Sequence, residues 1–223
     1  MDIAANLNRL HARIAAACGR SGRSPSDVTL VAVTKNTDIL AIRAAFAAGQ
    51  RHFAENRVQE ALDKIPWLPE LRPGATWHMV GHVQGNKVRR VLQLFDVVQS
   101  VDSLALAEAL NRLTPQPLPV FLEVNVAGEA AKTGMPVSQV DGAVHAIGRM
   151  SNLQLRGLMT VAPACDDPED VRPVFKRLRE MRDALGLQEL SMGMTDDFEV
   201  AIEEGATLVR LGRAIFREFP AHP

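Results

Sequence analysis

Eight β-rich runs separated by amphipathic helical runs constrain the fold of this chain more than any other feature. The strand candidates are "TLVAVTK" (29–35), "HFAEN" (52–56), "TWHMVG" (76–81), "VVQSVD" (97–102), "VFLEVNV" (120–126), "LQLRGLMTV" (153–161), "ELSMGM" (189–194) and "TLVRLG" (207–212). Ala/Leu-rich patterns predict helices between them over 38–48, 57–64, 84–93, 103–113, 136–149, 170–184 and 196–204, behind an N-terminal helix at about 2–18. Asp38, Ser103 and Thr195 suit N-caps, while Gly49, Gly148, Gly186 and Gly205 fall where helices should stop. Alternating strands and helices form a parallel sheet, and eight such units close into a (β/α)8 TIM barrel of the α/β class. No low-complexity linker or break in composition divides the chain, so a single domain over 1–223 is expected.

Composition narrows the function. The 25 basic and 26 acidic side chains leave a formal charge of −1, with none of the basic excess that a generic polyanion binder needs. The dense basic run Lys87, Arg89, Arg90 falls on a predicted helix and reads as a solvated face. Neither nucleic acid nor membrane is therefore an expected partner. Cys18 and Cys165 have no CxxC spacing, which suggests neither a disulfide framework nor a zinc site. The N-terminus lacks an uninterrupted apolar h-region, and no run approaches the roughly 18 apolar residues of a membrane span. A cytoplasmic protein is the expectation.

Barrels of this kind place their chemistry at the C-terminal ends of the strands. Lys35, Asn56, His78 with Gly81, Asp102, Asn125, Thr160, Met194 and Gly212 all fall near such ends. Lys35 has two readings: a strand-end lysine snorkelling to water, or an amine in a barrel mouth that attacks an aldehyde. In "SMGMT" and "VRLGRAIF", the Ser191 and Thr195 hydroxyls with the Gly212 and Arg213 backbone N–H groups suit a phosphate cup between the last two strands. Asp196 and Asp197 read as helix N-terminal acids, which moves a phosphate toward the Gly212–Arg213 side. Arg210, buried by its place in "TLVRLG", requires a charge partner or a ligand. His78 and His82 stand four apart, but on a strand and without HExxH they do not suggest a metal. GxSxG, GxGxxG and GxxxxGK[ST] are all absent.

The blocks "VAVTK", "AENRVQEALDK", "WHMVGHVQGNKV", "VQSVDS", "LEVNVAGEAAKTG", "LRGLMTV" and "LSMGMTDDFEVAIEEGATLVRLGRAIF", in order from about 29 to 216, resemble the pyridoxal 5′-phosphate (PLP) homeostasis proteins. That family has the alanine racemase N-terminal barrel, fold type III among PLP-binding proteins. The resemblance implies that Lys35 holds PLP as a Schiff base and that Arg210 stands by the pyridine nitrogen. It also implies that Ser191, Thr195, Gly212 and Arg213 hold the phosphate, and that Asn56, His78 and Asn125 line the ring pocket. Four positions depart from the family pattern: Ala54 in "FAEN" where glycine is typical, Arg57 for an aromatic, Gly85 for serine, and Arg217 for glycine. Arg57 bears on the pocket entrance.

Two functions suit a lysine of this kind. A racemase needs a second acid/base, which in the alanine racemases is a tyrosine from the C-terminal domain of a neighbouring subunit. This sequence contains no tyrosine and runs to Pro223 just past the barrel. The expectation is thus a monomeric, non-catalytic carrier that holds PLP reversibly and passes it transiently to apo-enzymes. A weak PLP-dependent amino-acid racemase is the alternative.

Overall fold

The apolar runs pair in parallel because each is followed by a helix that returns the chain across the sheet. The computed structural model describes residues 2–129 and 133–217. Its strands are β1 (Thr29–Val33), β2 (His52–Glu55), β3 (Thr76–Met79), β4 (Val97–Val101), β5 (Leu118–Asn125), β6 (Met135–Pro136), β7 (Leu153–Met159), β8 (Glu189–Ser191) and β9 (Leu208–Leu211). The order is β4-β3-β2-β1-β9-β8-β7-β5, and a β4–β5 pairing closes the circle. The two-residue β6 lies outside that circle, against the end of β5, where Val124 faces Met135. The barrel therefore has the eight parallel strands that the pattern predicts.

The observed strands stop short of the predicted ends. β1, β2, β3 and β8 end at Val33, Glu55, Met79 and Ser191 rather than at residues 35, 56, 81 and 194. The polar and glycine residues beyond them leave the ladder and form the barrel mouth.

Helices α1 (Ile3–Arg20), α2 (Ile39–Ala47), α3 (Val58–Lys64), α4 (Val88–Leu94), α5 (Leu104–Leu113), α6 (Val137–Ile147), α7 (Arg172–Ala184), α8 (Phe198–Glu203) and α9 (Arg213–Phe216) surround the sheet. Asp38 and Ser103 are N-caps, accepting from the N–H groups of Ala41 and Leu106; each such cap is worth about 1 kcal/mol. The cap of α8 is Asp197 rather than Thr195, because the chain makes an extra turn in which Asp197 Oδ1 accepts from Met194 N. α1 buries Ile3, Leu7, Leu10, Ile14, Ala17 and Cys18, a stripe at three- and four-residue spacing. Its Asn6 Nδ2 donates to the Ile215 carbonyl at 2.9 Å, tying α1 to α9.

Most strands are buried on both faces, whereas the start of β7 exposes Gln154 and Arg156. Outward residues such as Phe53 and Trp77, stacked at 5.3 Å, pack beneath the helices. Inward residues Val31, Val33, Ala54, Val97, Phe121, Met159 and Leu208 make a smaller apolar core inside the barrel. Polar side chains interrupt that inner core, and they matter for the site.

Candidate functional site at the barrel mouth

Where β1, β2, β3 and β9 end, a cavity of about 380 Å³ opens among Lys35, Asn56, Thr195, Arg210, Gly212 and Arg213. Its walls are Val33, Val80, Val161 and Met194. Val161 and Met194 are each 38 % exposed, so apolar surface faces an accessible space here. The volume is that of a small-molecule site, with apolar walls and a few convergent polar groups.

Close backbone approach shapes this mouth. A Cβ on Gly81 would stand 1.9 Å from the Asn56 carbonyl oxygen, so only glycine lets the ends of β2 and β3 meet here. A Cβ on Gly212 would stand 3.0 Å from the Val33 oxygen, where β9 passes β1. Beyond Gly212 the first N–H groups of α9 have no intrahelical acceptor, which is the usual state of a helix start. Arg213 pairs with Asp196, and both side chains are exposed on the cavity rim. Asp197 is turned away: its carboxylate is buried and bonded to Met194 N. Burial pushes the pKa of Asp197 up, against the opposing pull of that N–H and of Arg210. Of the two acids, only Asp196 lines this cavity.

Arg210 forms the floor of the mouth. Burial lowers its pKa to about 10, while Glu123 and Asp197 pull the other way and keep it cationic at neutral pH. Its hydrogen bonds go to neutral acceptors: Nη2 to the Thr160 carbonyl at 2.7 Å and Nη1 to Ser191 Oγ at 2.6 Å. From there a row of bonds crosses the barrel interior. The Ser191 hydroxyl donates to Gln99 Oε1 at 2.6 Å, Gln99 Nε2 meets His78 Nδ1 at 2.8 Å, and His78 Nε2 meets His52 Nδ1 at 3.0 Å.

The direction of this row follows from chemistry. An amide nitrogen only donates, so His78 Nδ1 must accept and its proton sits on Nε2. That proton points at His52 Nδ1, so His52 carries its own proton on Nε2. Burial, with the charge of His52 second, lowers the pKa of His78 to about 3, and burial alone lowers that of His52. Both rings are neutral at physiological pH. The row ends at the N-terminal face of the barrel, in a cavity of about 520 Å³ whose lining includes Thr29, His52, Thr76, His78 and Phe121.

Six of the nine residues marked in the sequence therefore share one cavity: Lys35, Asn56, Thr195, Arg210, Gly212 and Arg213. The other three do not line it. Ser191 and His78 lie in the interior row, and Asn125 donates through Nδ2 to the Glu129 carbonyl at 2.8 Å. His82 bonds Asp102 at 2.7 Å, away from His78, and no cluster of three or more metal-ligating side chains occurs among the described residues. Sequence reasoning missed Gln99, which links the two ends of the row, and the apolar walls Val33, Val80 and Val161. Nothing local marks a glutamine inside an apolar strand as the partner of a serine 92 positions away.

Residues 5–220 match the family described as alanine racemase, N-terminal domain. A pyridoxal phosphate homeostasis protein of Pseudomonas aeruginosa is 43% identical over 219 residues, covering 96% of this chain and 94% of the relative. One of Escherichia coli K12 is 41% identical over 227 residues, covering 96% of each. Among solved structures, PipY of Synechococcus elongatus with PLP bound superposes at a TM-score of 0.84, with 38% identity over 96% of this chain and 99% of that one. An alanine racemase of Corynebacterium glutamicum shares the fold at a TM-score of 0.71 with 16% identity, and this chain covers 59% of it. By near-full-length identity and matching barrel, the chain belongs to the pyridoxal phosphate homeostasis proteins, built on the alanine racemase N-terminal domain.

Proposed function

We propose that this protein binds pyridoxal 5′-phosphate at the barrel mouth, holds it covalently on Lys35, and releases it to other proteins instead of turning over a substrate. The observation that carries this reading is the mouth cavity itself, which gathers one primary amine, two guanidinium groups, the start of α9 and apolar walls. The residues fit the group. Pyridoxal phosphate supplies an aldehyde that condenses reversibly with a primary amine.

The chain's own residues then divide the work. Lys35 offers its amine at the mouth of β1. Arg213 and the Gly212–Arg213 N–H groups offer charge and donors to a phosphate, with Thr195 Oγ1 beside them. Val161 and Met194 offer apolar surface to a ring. Arg210 presents a fixed cation at the cavity floor. A cation beside a pyridine nitrogen keeps that nitrogen unprotonated and weakens the ring as an electron sink, which suits storage better than turnover. Ser191 and His78 act one step removed, by fixing Arg210 through the interior row, and Asn125 supports the neighbouring loop. The chain contains no tyrosine to serve as a racemase's second acid/base. The same reading has the protein act as a cytoplasmic monomer, meeting apo-enzymes transiently.

Spectroscopy and mass mapping test the site. The protein incubated with pyridoxal phosphate should turn yellow, and borohydride should fix the adduct on Lys35. Lys35→Ala should lose both signals; an adduct retained on another lysine sinks the assignment. Chiral chromatography of L-amino acids incubated with the loaded protein should show no racemisation, whereas turnover abolished by Lys35→Ala would favour an enzyme.

A further inference from the structure

The Lys35 side chain is exposed, so packing does not hold it. Its aim is set by the backbone on either side, and both flanking peptide groups are gripped from α3 and its approach. Lys64 Nζ donates to the Thr34 carbonyl at 2.8 Å, to Glu55 Oε1 at 2.9 Å and to Glu60 Oε2 at 3.3 Å. All three of its N–H bonds are thereby used. On the far side of Lys35, Asn36 N donates to the same Glu60 Oε2 at 3.2 Å. The Thr34 hydroxyl donates to Glu55 Oε1 at 2.6 Å, and Thr37 N closes the turn onto the Thr34 carbonyl at 3.0 Å.

This turn needs holding. Asn36 is the only non-glycine residue with a positive φ among the described residues, at 56°. That backbone costs an L-residue on the order of 1 kcal/mol and persists only when its surroundings over-determine it. Glu60 is charged for the purpose: burial alone raises its pKa, but the Asn36 N–H and Lys64 outweigh this and hold it below the usual carboxylate range. Glu60 and Lys64 lie one helical turn apart on α3. A single rigid face therefore grips the residues before and after Lys35.

We propose that Lys64 and Glu60 are positioning residues for Lys35, clamping the Thr34 carbonyl and the Asn36 amide so that the lysine leaves the barrel already aimed into the mouth cavity. The proposal rests on Lys35 being the attachment residue. Ordering a long lysine side chain is entropically costly, and a pre-formed backbone turn reduces what remains to be lost on attachment. Glu55, fully buried, backs the clamp from beneath by accepting from both Thr34 and Lys64.

The test is the release rate of pyridoxal phosphate from the full-length loaded protein, followed by loss of visible absorbance into an excess of a carbonyl scavenger. The borohydride-trapped Lys35 fraction and the melting of the unloaded protein are measured in parallel. Glu60→Gln should speed release about 3- to 10-fold, the scale of one ordinary hydrogen bond. Lys64→Met should speed it by on the order of 10-fold or more. Adding Asn36→Gly to Glu60→Gln should recover part of the loss, because glycine takes the left-handed turn unaided.

Wild-type release and trapping in both single variants would overturn the clamp, even with lowered melting. Faster release that Asn36→Gly does not relieve would overturn it too, since the effect would then bypass the turn. If Lys64→Met does not fold, Glu60→Gln decides alone. An adduct that survives Lys35→Ala overturns the attachment residue and the clamp together, whereas a Lys35 adduct indifferent to Glu60 overturns only the clamp.

Discussion

Asp196 and Arg213 show how one residue pair can tune the mouth. Their ion pair lies on an exposed rim, where such pairs contribute little to stability. A phosphate arriving at Arg213 must compete with the Asp196 carboxylate. Asp196→Asn should therefore tighten pyridoxal phosphate binding severalfold with melting of the unloaded protein nearly unchanged, measured by absorbance titration and thermal unfolding. His78 carries a pH signature. Its folded pKa of about 3 lies below the ordinary value of 6.5, so below pH 6.5 the unfolded chain binds a proton that the folded one refuses. Stability must fall as the pH drops through that window, by about 1.4 kcal/mol per pH unit for His78. His52 adds to the fall in the same direction. The raised carboxyls Glu55, Glu123 and Asp197 act oppositely, since their folded forms keep protons longer as pH rises. Urea melts of wild type and His78→Asn between pH 7.5 and 5 separate these effects. The wild type should lose the steeper share.

At the scale of elements, the strands and helices were largely legible because parallel strands buried on both faces are near-continuous apolar runs. Thr29–Val33 and Leu208–Leu211 fall inside the predicted runs "TLVAVTK" (29–35) and "TLVRLG" (207–212). What could not be read was the depth of a polar side chain along a strand. Ser191 is expected in the phosphate cup and Arg210 is expected to be buried, and both are buried in the interior row, yet only Arg210 also lines the mouth cavity. Which applies depends on partners from other strands: Gln99 on β4 claims Ser191. The Lys64 grip on Thr34 spans 30 positions and is equally silent in a local window. The ends of β2 and β3 offer a direct test of element packing. Gly81→Ala would drive a methyl into the Asn56 carbonyl, and we expect a loss of several kcal/mol or failure to fold, seen in urea melts. Asn6→Ala should cost about 1–3 kcal/mol by leaving the Ile215 carbonyl unpaired beneath α1.

The whole molecule is a closed barrel in which the proposed attachment lysine just past β1, the cavity floor from β9 and the proposed clamp on α3 are neighbours in space that span much of the sequence. Closing the circle assembles the mouth, so loading should report on global stability. At a free ligand concentration of 100 times the dissociation constant, the folded state gains about 2.7 kcal/mol. Wild type should therefore melt several degrees higher with pyridoxal phosphate than without it, and Lys35→Ala should lose most of that increment. The row from Arg210 to His52 gives the barrel something more than a structural core. Because every donor in it points the same way, from Arg210 toward the N-terminal face, it acts as an arrow that cannot be reversed at one link alone. Arg210→Met would free Ser191 to turn its hydroxyl, releasing Gln99 and then both imidazoles from their present tautomers. The ¹⁵N shifts of His52 should thus register a substitution made at the opposite end of the barrel.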